Sequence, residues 1–295
     1  MSTLLAAVEA GSLSAASRKL GMPLATVSRK VSELEAHLRT RLVNRTSRRL
    51  SLTDAGRAYV EFCKRILEDI GEAERAATGE YQKPRGALLM TAPIVFGRVH
   101  VLPVAIEFLK AFPEIDIRIV LADRVVNLHE ERVDVAVRIG ALDDSALIAT
   151  RVGAIREVVC ASPSYLATHG TPKSPAELSR HDCITFEGLR HPESWKFSVG
   201  KKTQSVPIHS RLIVNTAEAA IDAAVAGLGV TRLLSYQIAG ALRAGTLDVI
   251  LRKFEPEPWP VSLVYGGQGL LPLKLRAFLD FAMPRLKAGV AREGD

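Results

Sequence analysis

The chain has 295 residues, 47% of them hydrophobic, and a formal charge of +7, so it can bury two or three cores and is too apolar for a disordered chain. No apolar run approaches the ~20 residues that span a bilayer, and Met1-Ser2-Thr3-Leu4-Leu5 lacks the basic start of a secretory leader, which places the chain in the cytoplasm. The charge is uneven: residues 1–53 hold nine Lys/Arg against three Asp/Glu, and the rest of the chain holds thirty against twenty-nine.

Leu4, Leu5 and Val8 predict a short amphipathic helix. Ser12 or Ser14 can cap a second, whose Ala15, Ala16 and Leu20 share one face and which ends at Gly21. Pro23 suits the first turn of a third helix. There Val27, Val31 and Leu34 form an apolar stripe, so Thr26, Ser28, Arg29 and Lys30 sit on or beside the outward face. A helix braced from behind, with hydroxyls and long cations outward, fits a major groove. The helix-turn-helix pattern covers about residues 13–32. Leu42 to Leu52 then has apolar ends and a polar middle, which suits a two-stranded wing with Arg45, Arg48 and Arg49 placed for phosphates. The concentrated positive charge is the electrostatic footprint of such contact.

Thr53 and Asp54 open a long helix running to about Glu80. Ala55, Tyr59, Phe62, Ile66, Ile70, Ala73 and Ala77 keep a three-to-four spacing along it, a stripe that fits the same helix of a second copy. Gln82-Lys83-Pro84-Arg85-Gly86 breaks it. Strands are then predicted at 88–92, 115–119, 133–139, 157–161, 183–186, 212–214 and 261–265, with helices at 101–111, 217–226, 236–242 and 273–286. That alternation predicts an α/β domain with mostly parallel strands. Cys63, Cys160 and Cys183 are scattered, without CxxC spacing, and read as free buried thiols; a redox pair of Cys160 and Cys183 has no sequence support.

Ala7-Val8-Glu9-Ala10-Gly11-Ser12-Leu13-Ser14-Ala15-Ala16, Leu20-Gly21, Val27-Ser28-Arg29, Leu34-Glu35, Arg45-Thr46 and Leu52-Thr53-Asp54-Ala55-Gly56 resemble the DNA-binding domain of the LysR-type transcriptional regulators. Thr91-Ala92-Pro93, Phe96-Gly97-Arg98, Phe112-Pro113, residues 134–140, residues 161–166, His181-Asp182-Cys183 and Gly227-Leu228-Gly229 resemble that family's effector domain. The resemblance covers essentially the whole chain. It implies an α+β multidomain protein: a winged helix-turn-helix, mainly α, at 1–56; a dimerising linker helix and hinge at 57–86; and a two-lobed α/β, periplasmic-binding-protein-like effector domain at 87–295. On that analogy lobe I is about 88–160 plus 267–290 and lobe II about 161–266. It also implies Ser28, Arg29, Arg45 and Arg49 on DNA, and as partners a roughly palindromic double-stranded promoter site, a small-molecule effector, other copies of the chain in a dimer or tetramer, and RNA polymerase. The chain departs from the family at Pro23-Leu24-Ala25, where Ser-Gln-Pro is frequent, at Leu38-Arg39, where Leu-Gly is frequent, and at Asn127 and Arg232-Leu233. Its first helix begins almost at Met1, where members usually carry several more residues.

In open α/β sheets ligands bind beyond the carboxyl ends of strands. Thr91, Pro93, Phe96 and Gly97 follow the first such strand, Arg138 and Gly140 end another, and Asn215 and Thr216 follow a third. Hydroxyl, amide and N–H donors converging there suit a carboxylate, so the expected effector is a small organic acid, aromatic if it stacks on Phe96. Each residue also has a structural reading: caps for Thr91 and Thr216, core for Phe96, a surface ion pair for Arg138. No cofactor or metal is implied. Gly227-Leu228-Gly229 follows a helix and lacks a third glycine, and no phosphate-cradling loop, Gly-x-Ser-x-Gly elbow or HExxH is present, so an enzyme is not expected. A solute-binding protein with a basic arm would require a secretory leader.

Overall fold

The computed structural model describes residues 1–46, 49–78, 83–124, 127–128, 131–142, 147–187, 193–200, 202–267 and 271–292. The chain divides into two compact units, 1–82 and 83–295. Arg48 of the expected wing and Gln82 of the expected hinge lie outside the described residues.

The first unit holds α1 (Ser2–Glu9), α2 (Leu13–Leu20), α3 (Leu24–Leu38), the antiparallel pair β1 (Val43–Thr46) and β2 (Arg49–Leu52), and α4 (Asp54–Thr78). Ser12 caps α2 by accepting from the Ala15 N–H at 3.1 Å, and Gly21 closes it at φ 63°. Val27 and Val31 are wholly buried, which fixes the roll of α3. Arg39 closes α3 at φ 51°, a left-handed position that glycine usually fills, so the departure at Leu38-Arg39 is absorbed as backbone strain. Glu35 Oε1 accepts from the Leu42 and Val43 N–H groups at 2.8 and 3.1 Å, tying the wing to the back of α3.

Along α4, Val60 and Cys63 are buried against the helical core and Tyr59 packs on it. Phe62, Ile66 and Ile70 form a separate stripe at intervals of four, with Ile66 42% and Ile70 48% exposed. The described part of the apolar row expected from the sequence therefore divides between two faces; the side chains of Ala73 and Ala77 lie outside the described residues.

The second unit runs β3 (Gly86–Ala92), α5 (Ile94–Phe96), one π turn, α6 (Leu102–Ala111), β4 (Ile115–Leu121), β5 (Val135–Ile139), β6 (Leu147–Ile155), β7 (Glu157–Ala161), α7 (Pro163–His169), β8 (Asp182–Phe186), β9 (Ser194–Val199), β10 (Lys202–Pro207), β11 (His209–Val214), α8 (Ala217–Val225), β12 (Val230–Leu234), α9 (Ser235–Arg243), β13 (Asp248–Ile250), β14 (Trp259–Gly266) and α10 (Leu273–Ala291). Two five-stranded sheets result, ordered β4-β3-β5-β14-β6 and β11-β8-β12-β7-β13. In each, four strands run the same way and one, β14 or β7, runs against them. Strand direction is therefore mostly parallel, as expected, but the one reversed strand of each sheet lies between two neighbours, so half of the pairings are antiparallel; β6, β12 and β13 were not visible in the sequence. All of β12 is buried and so shows no alternation.

Strand pairing also moves the lobe limits. β14 belongs to the first sheet and β7 to the second, so the chain crosses between lobes at Arg156 and again between β13 and β14. Arg156 Nη1 lies 3.1 Å from Glu255 Oε2, which pins the two crossings together, and the Arg156 carbonyl accepts from the Ser235 N–H at the start of α9 at 2.9 Å. One apolar core, from Leu88 and Phe96 in lobe I to Leu233 and Tyr236 in lobe II, runs through the junction.

Candidate nucleic-acid interface and effector site

On α3, Arg29 and Lys30 are exposed while Thr26 and Ser28 are half-buried. Arg29 Nε lies 3.7 Å from Glu33 Oε1, with both side chains in solvent, and so weak a pair exchanges readily for a phosphate or base. Arg45 and Arg49 hold opposite strands of the wing, in the registers Arg45↔Leu50 and Thr46↔Arg49; their side chains, like all of Arg48, fall outside the described residues.

In lobe I the expected effector residues fall on both faces of the first sheet. Leu88, Met90 and Ala92 enter the main core with Phe96, whereas Leu89 packs with Ala136, which places Thr91 and Arg138 on the opposite face by strand alternation. Thr91 is buried and donates to the Val120 carbonyl at 2.9 Å. Pro93 precedes the first turn of α5. Phe96 is wholly buried, 4.6 Å from His100 and 5.4 Å from Tyr236 between ring centroids, so it offers no open face for the expected stacking on an aromatic ligand. A Cβ on Gly97 would meet the Leu121 side chain and lie 3.2 Å from Ala92 Cβ, and Gly140 stands at φ 109°, where a Cβ would also press on Trp259 at 3.2 Å. Burial holds the half-buried Arg138 guanidinium below its usual value, and Glu131 partly reverses this. Thr216 caps α8, accepting from the Ala219 N–H at 3.3 Å, beside exposed Asn215.

Other side chains meet at the lobe junction. Asp123, just past β4, accepts from the Ile94 N–H at 3.0 Å. Arg98 of lobe I lies 3.9 Å from Glu218 of lobe II, and Ser235 and Tyr236 begin α9. Asp123 was legible as a carboxylate beyond a predicted strand; Ser235 and Tyr236 followed a strand whose pattern was hidden.

Arg232 neither lines the cleft nor points outward. Its Nη1 lies 3.5 Å from Glu157 Oε2, with the two side chains 7% and 4% exposed, and its guanidinium sits 5.3 Å from the Trp195 ring centroid. Cys63, Cys160 and Cys183 are free and buried. Burial pushes the Cys160 and Cys183 thiols up to about 12, which keeps both inert as thiols at neutral pH.

A helix-turn-helix with its wing, in one chain with a two-lobed α/β receptor, defines an effector-controlled, DNA-binding transcription regulator. Residues 1–57 match the bacterial regulatory helix-turn-helix protein, lysR family, and residues 81–287 match the LysR substrate binding domain. An HTH-type transcriptional repressor of Pseudomonas aeruginosa is 36% identical over 285 residues, covering 96% of this chain and 90% of its own length. The transcriptional activator AaeR of Escherichia coli is 30% identical over 282 residues, covering 95% and 91%. Among solved structures, CrgA, a LysR-type transcriptional regulator of Neisseria meningitidis, superposes with a TM-score of 0.62 at 32% identity over 97% of each chain. The chain belongs to the LysR family of transcription regulators, which bind DNA and effector ligands, form oligomers and are not enzymes. Among the described residues no helix is long and apolar enough to cross a membrane.

Proposed function

We propose that residues 1–56 read a roughly palindromic promoter site in the cytoplasm, with α3 in the major groove and the wing on the backbone. The supporting observation is the roll of α3: Val27 and Val31 turned inward leave Arg29 and Lys30 outward, on the part of the chain that holds nearly all the net charge. Thr26 and Ser28, at the edge of that face, reach phosphates, as do Arg45, Arg48 and Arg49. Fluorescence anisotropy on the DNA upstream of the chain's own gene, against scrambled duplexes over a salt series, tests this. Arg29→Ala should cost about 1–3 kcal/mol of preference for the specific site, whereas Arg48→Ala should weaken all duplexes alike and lower the salt slope by about one. Specificity and salt slope unchanged in both variants would refute the assignment.

Within 57–86, α4 pairs with its copy through Phe62, Ile66 and Ile70, and two dimers form a tetramer on DNA that contacts RNA polymerase. The exposure of Ile66 and Ile70 supports this. Burying such a stripe contributes about 1.5–3 kcal/mol per large side chain, so Ile66→Asp with Ile70→Asp should lower the assembly state by sedimentation velocity; an unchanged sedimentation coefficient would exclude this face.

The effector is a small organic acid bound between the lobes of 87–295. Thr91, Pro93, Gly97, Arg138, Gly140, Asn215 and Thr216 border strand ends there, Phe96 backs the junction, and support for an acid comes from the half-buried Arg138 and the start of α8. Binding shifts the lobe equilibrium by the ligand's differential affinity for its two states.

A further inference from the structure

At the start of α5 the place an anion would take is already filled. Asp123 Oδ1 accepts from the Ile94 N–H at 3.0 Å, so the protein supplies its own carboxylate there. The other oxygen, Asp123 Oδ2, is buried and has no hydrogen-bonding partner among the described residues, and the same holds for Tyr236 Oη and Ser235 Oγ. Tyr236 is only 3% exposed. Its ring meets Phe96 edge-on at 5.4 Å and His100 at 5.9 Å, which brings it from lobe II onto the helix that follows β3 in lobe I.

Electrostatics agree with this placement. Burial first, then the charge of Asp123 and that of Glu218, raises the Tyr236 hydroxyl, while the Gln237 amide, outside hydrogen-bonding geometry, pulls the other way. Burial also raises Asp123; the Ile94 N–H offsets part of this and Glu218 adds to it. Asp123 of lobe I and Glu218 of lobe II, the latter 3.9 Å from exposed Arg98, put a carboxylate on each side of the junction. A buried acceptor left unmade is costly, so a ligand that brings a donor to it gains affinity there.

We propose that the effector presents a hydrogen-bond donor, a hydroxyl or protonated amine, to Asp123 Oδ2 at the lobe junction, with the Tyr236 hydroxyl as the second contact. The proposal rests on the effector lying between the lobes, and it adds the chemistry of one end of that molecule: the acid group lies away from the start of α5.

The test is ligand-observed NMR titration of the full-length chain with two sets of probes: butyrate, 4-hydroxybutyrate and 1-butanol, then benzoate, 3-hydroxybenzoate and phenol. The hydroxy acid of at least one set should bind about tenfold to a hundredfold more tightly than its plain acid. Asp123→Asn keeps an oxygen for the Ile94 N–H but places a donor where Oδ2 stood, and should abolish that preference; Tyr236→Phe keeps the ring contacts and should reduce it, which carries the comparison if Asp123→Asn fails to fold. Equal binding of acid and hydroxy acid, or an unchanged preference in the folded variants, overturns the donor assignment and leaves the organic-acid reading standing. Binding of butanol or phenol as tightly as the hydroxy acids upholds the donor and removes the acid reading. Binding of none of the six overturns both.

Discussion

Gly56→Ala is expected to destabilise the DNA-binding unit by about 3 kcal/mol or more, at the upper end of what overpacking costs. Helix propensity alone gives the opposite sign, because alanine is better than glycine inside a helix by roughly 0.5–1 kcal/mol. The contact decides against propensity: a Cβ at Gly56 would lie 1.9 Å from the Leu42 carbonyl oxygen and 2.8 Å from its carbon. These are backbone atoms, and they are held. The Leu42 carbonyl accepts from the Thr53 N–H at 3.0 Å, the Leu42 N–H donates to Glu35, and the Leu42 side chain is buried. Separating α4 from the wing would break that set and displace the arginines proposed for phosphates. Urea denaturation followed by amide exchange in residues 1–78 measures the loss, and anisotropy should show at least tenfold weaker DNA binding. A variant as stable as the parent would mean that α4 does not pack as closely as described.

Arg232→Leu is expected to cost about 3–5 kcal/mol, because it strands the Glu157 carboxylate in lobe II without its cation. Replacing both partners by leucine should recover most of the loss, since an apolar pair leaves no buried charge. The effect depends on pH. Burial already raises Glu157 above the usual carboxylate range, and Arg232 offsets part of that; without Arg232 the folded value rises further above the unfolded one. A carboxyl shifted in this direction contributes stability that is fully present below the unfolded pKa and is lost as pH rises through the folded pKa. The deficit of Arg232→Leu should therefore be larger at pH 8 than at pH 5 in urea denaturation. Equal deficits at the two pH values, or a double variant no better than the single one, would show that the pair is not the buried contact that holds Arg232 against Trp195.

The sequence taken alone determined the first unit and the family of the whole chain. The reason is range: the Ser12 cap, the turn at Gly21, the inward Val27 and Val31 and the Thr53 cap each act over a few neighbouring residues, and residue type and spacing record such interactions directly. Tertiary structure alone decided the second unit's details. Sheet order depends on pairings such as β14 with β5, more than a hundred residues apart, which leave no local pattern. The same distance hid the ligand chemistry. Arg232 stood in the sequence only as a departure from the family, its surroundings set by Glu157 and Trp195 from other strands, and the donors at the start of α5 suited an anion, whereas Asp123, 29 residues on, already occupies the Ile94 N–H. Whether a buried charge serves a ligand or the fold is set by the partner that desolvation requires, and only the folded chain brings that partner into contact.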